Sequence, residues 1–116
     1  MSARNTPDLL APREWAIYRH ACRRGTFSVG DLLVDLEADE DPLAHNTVVT
    51  LLERLIAKGH VRRLERQGRG FAYEVAIPYK DAVRAQTDHF LTNLLRDDPI
   101  ALAVVRAELK ARLKRD

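Results

Sequence analysis

Four residues of this 116-residue chain carry a spacing with chemical content. Asn46, Thr47, Thr50 and Arg54 recur at the intervals of helical turns. A helix that turns them outward presents amide, hydroxyl and guanidinium groups on one face. Such groups hydrogen-bond base edges in a major groove, and the arginine reaches a guanine or a phosphate. His45 and Asn46 stand at the start of the same stretch, where unpaired helix N–H groups favour a phosphate. A second set follows in Arg62, Arg66 and Arg69, around the turn Gln67-Gly68-Arg69-Gly70. These guanidiniums suit a nucleic-acid backbone or a minor groove. The competing readings are a plain solvated face for the first set and charge that blunts an exposed β-edge for the second.

Other chemistries find little support. His20, His45, His60 and His89 have no close pairing such as His-x-x-x-His, and Cys22 is the single cysteine. No zinc site, no internal disulfide and no other metal or cofactor site is expected. Cys22 reads as a buried, inert thiol rather than a redox sensor. There is no phosphate-cradling glycine loop, no nucleophile elbow and no Ser/His/Asp set that can be placed together, so no enzyme is expected. The acidic run Asp35, Glu37, Asp39, Glu40 and Asp41 lacks calcium-loop spacing and reads as solvated.

The elements that must position these residues follow from periodicity. Pro12 to Arg24 reads as a helix stopped by Gly25, with Trp15, Tyr18 and Cys22 on its buried face beside Ile17 and Ala21. Thr26 and Phe27 read as a short strand. Ser28 with Asp31 makes a capping-box variant that opens a short helix bearing Val29, Leu32, Leu33 and Leu36. A surface loop covers 37–42. A third helix spans 45–58 and stops at Gly59. It turns Val48, Leu51, Leu52 and Leu55 inward, which is why the polar set faces out. Strands over 60–66 and 71–75 make a hairpin. Pro78 ends it. A helix over 79–96 then carries Val83, Phe90, Leu91, Leu94 and Leu95, and Asp98 with Pro99 opens a last helix bearing Leu102, Val105, Leu109 and Leu113.

This order defines a mostly α fold with a small β-hairpin wing, namely a winged helix-turn-helix followed by two C-terminal helices. The boundary is placed between a DNA-binding domain over 1–78 and a helical dimerisation region over 79–116. Two helices that follow a compact winged helix have little else to bury against. Phe90, Leu91, Leu94, Leu95, Leu102, Val105 and Leu109 are therefore expected at a dimer interface, with an intrachain core as the alternative. Charge divides similarly. Residues 1–45 hold five Lys/Arg and eight Asp/Glu, whereas 46–78 hold six and three. The net +2 of the whole chain hides this local basic patch.

The chain resembles the penicillinase-repressor family (BlaI/MecI/CopY type) of bacterial winged-helix repressors. The resemblance rests on Leu10-Ala11-Pro12-Arg13-Glu14-Trp15, on the run from Asn46-Thr47-Val48-Val49-Thr50 through Leu51-Leu52-Glu53-Arg54-Leu55 to Lys58-Gly59, and on Val61-Arg62-Arg63 with Tyr73. Phe90 and the stretch from Pro99 to Leu102 look like its dimerisation helices. The resemblance implies a homodimer on a two-fold DNA operator that represses a resistance or homeostasis operon. It implies groove-facing roles for Asn46, Thr47, Thr50 and Arg54, and a wing contact for Arg69. The chain departs from the family at Ala11, where Thr or Ser is usual. It has no Asn-Phe dipeptide for inactivating cleavage and no cysteine-rich tail for copper, so neither inducer mechanism carries over.

Two further readings stand beside the repressor. One is a winged-helix adaptor or antirepressor that binds protein instead of DNA. The other is an architectural DNA binder without sequence preference. No stretch approaches the 18 apolar residues of a membrane span, and the N-terminus lacks a signal peptide's apolar core. A cytoplasmic, nucleoid-associated protein is expected.

Overall fold

The computed structural model describes residues 7–65 and 70–114. Helix α1 (Pro12–Arg24) is followed by strand β1 (Thr26–Phe27), α2 (Val29–Ala38) and α3 (His45–Ala57). Strands β2 (Val61–Arg63) and β3 (Tyr73–Val75) come next, then α4 (Tyr79–His89), a π-helical turn (Phe90–Leu94) and α5 (Pro99–Leu113). The sheet is antiparallel in the order β1-β3-β2. The mostly helical fold with a small wing is thus the one expected from the sequence.

Local chemistry explains the element ends. Ser28 and Asp31 form a reciprocal box at α2: Ser28 Oγ accepts from the Asp31 amide at 3.1 Å, and the Ser28 amide donates to Asp31 Oδ2 at 2.9 Å. Ala11, at the cap of α1, has no oxygen to offer. Only the return half of a box exists there, with the Ala11 amide donating to Glu14 Oε1 at 2.9 Å. Gly25 and Gly59 stop α1 and α3 with φ of 80° and 85°, a region unfavourable for a residue with a Cβ.

The core forms where α1, α2 and α3 meet the sheet. Ile17, Tyr18 and Ala21 pack against Leu32 and Leu36 of α2 and against Val48, Leu51, Leu52 and Leu55 of α3, closed below by Phe27, Val61 and Tyr73. Each fully buried Leu or Ile contributes about 1.5–3 kcal/mol relative to exposure. Trp15 and Cys22 are only half-buried, so the deepest line of α1 is shifted by one residue from the expected stripe. The start of α4 is anchored here too. Tyr79 lies 5.8 Å from Trp15 and 6.1 Å from Tyr18, centroid to centroid, and Ala82 is buried in the core.

Three expectations need correction. The strands are shorter than 60–66 and 71–75, because the His60 ring turns into the core before β2 begins and regular pairing stops at Arg63 and Tyr73. The second helix extends to Ala38, two residues into the expected loop. The helix expected over 79–96 ends at Leu94 and is α-helical only to His89. Its last part is a π turn in which the Leu95 amide bonds to the Phe90 carbonyl at 3.0 Å. Arg96 and Asp97 then take left-handed φ of 58° and 54° and redirect the chain into α5. Asp98 caps that helix as expected, Oδ2 accepting from the Ala101 amide at 2.9 Å. Among the described residues, no helix is long and apolar enough to cross a membrane.

Candidate nucleic-acid interface

Helix α3 presents its polar face because its other face is occupied. Val48, Leu51, Leu52 and Leu55 are buried, which leaves His45, Asn46, Thr50 and Arg54 exposed and Thr47 half-exposed. Asn46, Thr47, Thr50 and Arg54 line one shallow groove together with Leu51 and Arg13. The start of the helix is open. Ala44 provides no side-chain cap, and the first turn contains no acidic residue. Its leading N–H groups and the positive end of its dipole face outward uncompensated, a setting that attracts anions. His45 sits at this end.

A partly buried ion pair fixes the helix against α1. Lys58 follows α3 directly, and its Nζ donates to Glu14 Oε1 at 2.7 Å and to the Leu9 carbonyl at 2.9 Å. Glu14 is 4% exposed. Burial alone would raise its carboxyl pKa, but the Lys58 bond, the Ala11 amide and the charges of Lys58 and Arg54 outweigh burial and bring it below the usual value. The Pro-x-Glu-Trp and Lys-Gly segments are far apart in sequence, and this pair is where they meet.

The wing holds two of its arginines by different means. Arg62 pairs across the sheet with Glu74 at 2.6 Å, its register partner. Arg63 lies on the other face, its guanidinium 5.0 Å from the Phe71 ring centre and 5.8 Å from that of Tyr73. Arg66 and Arg69, two of the expected contacts, lie outside the described residues. So the structure brings Asn46, Thr47, Thr50 and Arg54 together, places His45 at the same helix's start, and sets Arg62 on the sheet engaged with Glu74.

Two residues of this region escaped the sequence reading. Arg13 looked like part of an ordinary helix start, and only the α1–α3 packing puts it beside the polar face. His60 looked like one more histidine. Its ring is fully buried edge-on to Tyr18 at 5.2 Å, with neither nitrogen hydrogen-bonded. Burial, first of all, pushes its pKa down. Cys22 is half-buried, and burial raises its thiol pKa.

Of the residues expected at a dimer interface, Leu91, Leu95, Leu102 and Val105 are half-buried within the protomer. Phe90, Leu94 and Leu109 are 41%, 65% and 56% exposed. Ile100, Val104 and Leu113 are exposed as well and extend this apolar surface.

Three helices, a three-stranded sheet and an outward polar face on the third helix define a winged-helix regulator of transcription. The penicillinase repressor family matches residues 10–114, and the chain belongs to that family. No curated protein sequence matches it. Among solved structures, the fold is similar to the reduced form of MarR from E. coli, with a TM-score of 0.51 and 18% identity over 90% of this chain and 78% of that one. It is similar to a MarR variant from E. coli complexed with operator DNA, with a TM-score of 0.53 and 17% identity over 90% and 76%. The hsRosR-S4 complex gives a TM-score of 0.58 and 19% identity over 97% and 99%.

Proposed function

We propose that the chain is a homodimeric, sequence-specific repressor that binds a palindromic operator. One observation carries the reading: α3 exposes Asn46, Thr47, Thr50 and Arg54 on one face, behind an uncapped helix start that lacks acidic residues. Asn46, Thr47 and Thr50 contact base edges, Arg54 a guanine or phosphate, and His45 a phosphate at the helix start. Arg62 exchanges Glu74 for the DNA backbone, and Arg66 and Arg69, which lie outside the described residues, contact it as well. A similarly folded MarR variant is known with operator DNA, which supports double-stranded DNA as the partner.

Residues 1–78 act as the DNA-binding part and 79–116 as the dimerisation part. The apolar residues Phe90, Leu91, Leu94, Leu95, Leu102, Val105 and Leu109 pair with those of a second copy, and two-fold symmetry of the protein is mirrored in the operator. Half-sites then lie ~34–36 Å apart, or a multiple of that. Such a protein works in the cytoplasm on the nucleoid.

The test is an in vitro selection of genomic fragments on the purified protein at near-physiological salt. Enrichment of a two-fold palindrome is the expected result. Retention without enrichment would replace sequence-specific repression with an architectural role. No retained DNA would overturn the reading and move the partner from DNA to protein.

A further inference from the structure

Arg13 occupies an unusual place for a cation. Pro12 is the first residue of α1 and Arg13 the second, so its guanidinium stands at the positive end of the helix dipole. Among the described residues it forms no ion pair; the neighbouring carboxylate, Glu14, is buried and engaged by Lys58 and by the Ala11 amide. It is exposed, and it lines the groove that Asn46, Thr47, Thr50 and Arg54 form on α3. Two guanidiniums from different helices thus border one polar groove. Neither the helix end nor a neighbouring arginine rewards a cation in this position; a shared anion does.

We propose that Arg13 is a DNA-phosphate contact supplied by α1, which together with Arg54 grips the backbone at the border of the α3 groove. This inference rests on the DNA-binding reading above and extends the contact surface to a helix outside the helix-turn-helix pair. The contact is to phosphate. Arg13 sits at the border of the groove on α1, whereas Asn46, Thr47 and Thr50 of α3 provide the groups that can read base edges. The rigid pairing of α1 with α3 through Glu14 and Lys58 keeps the arginine in register with the recognition face.

A phosphate contact has a signature that base readout and general charge do not share. Each neutralised phosphate contributes about 0.9 to the slope of log K against log salt. Its loss therefore weakens binding about fivefold per protomer at ~0.15 M salt, equally on specific and unrelated DNA. The experiment measures affinity from low to moderate salt for the wild type and for Arg13→Ala, Arg13→Lys and Arg19→Ala. The probes are the fragment recovered by selection and an unrelated duplex of equal length. Arg19 is an exposed arginine of the same helix that lines a different groove, with Cys22, Arg23 and Tyr79, so it controls for net charge. Thermal melting verifies that each variant folds. Arg13→Ala should lower the slope by about 0.9 per bound protomer on both duplexes. Arg13→Lys should restore most of it, and Arg19→Ala should leave it unchanged. An unaltered slope for Arg13→Ala, or an equal drop for Arg19→Ala, overturns the proposal while leaving DNA binding intact. A wild type that binds neither duplex overturns both readings together.

Discussion

At the scale of single residues, the base contact proposed for Thr50 distinguishes readout from anchoring. Thr50 is exposed and lines the groove one turn before Arg54. Thr50→Ala should lose about 1–3 kcal/mol of discrimination at one base position, measured by competition among single-base operator variants. A uniform loss at every position would place the hydroxyl on the backbone instead. Lys58 and Glu14 act on stability. Lys58→Met strands a buried carboxylate and should destabilise the fold by about 1–3 kcal/mol in urea unfolding, towards the lower end because Lys58 itself is partly exposed. His60 makes stability depend on pH. Burial favours the neutral ring when folded; Tyr18 faces it, the Lys58 charge lowers its pKa further, and the Lys58 backbone, Asp8 and Glu14 act in the opposite sense. With the folded pKa below the unfolded value of about 6.5, the unfolded chain binds more protons as pH falls. Stability is full above about pH 6.5 and declines below it, by at most about 1.4 kcal/mol per pH unit. His60→Leu should flatten that decline between pH 7 and 5. A variant with the wild-type slope would assign the dependence to another group.

At the scale of elements, what was legible followed from local rules. Periodicity placed α1 and α3 to within a residue, and Ser28 with Asp31 marked the start of α2, because caps and apolar spacing act within one or two turns. The outward face of α3 was legible for the same reason, since four buried positions leave little freedom for the rest. The π turn was not legible. Its five residues Phe-Leu-Thr-Asn-Leu suit an α-helix, and nothing in their spacing marks the i→i+5 bond that precedes the left-handed Arg96 and Asp97. Nor was Arg13 legible as a groove residue, because its place depends on the packing of two helices distant in sequence. The same distinction governs a prediction at the last helix. Asp98 caps α5, and none of the residues of α5 is buried within the protomer. Asp98→Ala should cost α5 about 1 kcal/mol. In hydrogen exchange the loss should appear as faster exchange of the α5 amides, with those of α1 and α3 unaffected. Faster exchange throughout the chain, α1 and α3 included, would mean that α5 folds as one unit with the core.

At the scale of the whole molecule, the exposed apolar surface gathers on the C-terminal helices. The Cα radius of gyration is 16.7 Å, where a compact chain of this length has about 13 Å. The excess reflects the C-terminal helices, whose apolar residues lie on more than one side: Ile100, Val104 and Leu109 are exposed, and Leu102 and Val105 only half-buried. A helix with apolar residues on more than one side is stable when those sides are covered, and the second copy of the proposed dimer would cover them. A stable interface of this kind buries about 800 Å² per partner. Leu109→Asp tests this without touching the core, since the side chain is already 56% exposed in the protomer. In the dimer that carboxylate would be buried against apolar neighbours. Sedimentation should therefore report a dimer for the wild type and a monomer for the variant, with the melting of the winged helix little changed. The functional effect follows from valency. Two recognition helices on one rigid dimer bind a palindrome with the second contact intramolecular, an advantage a monomer loses on the full site and not on a half-site. Leu109→Asp should thus weaken binding to the palindrome and reduce its salt slope towards half, while affinity for an isolated half-site stays the same. If the variant remained dimeric, or if the wild type bound the palindrome no more tightly than a half-site, pairing through these helices would not be the basis of operator recognition.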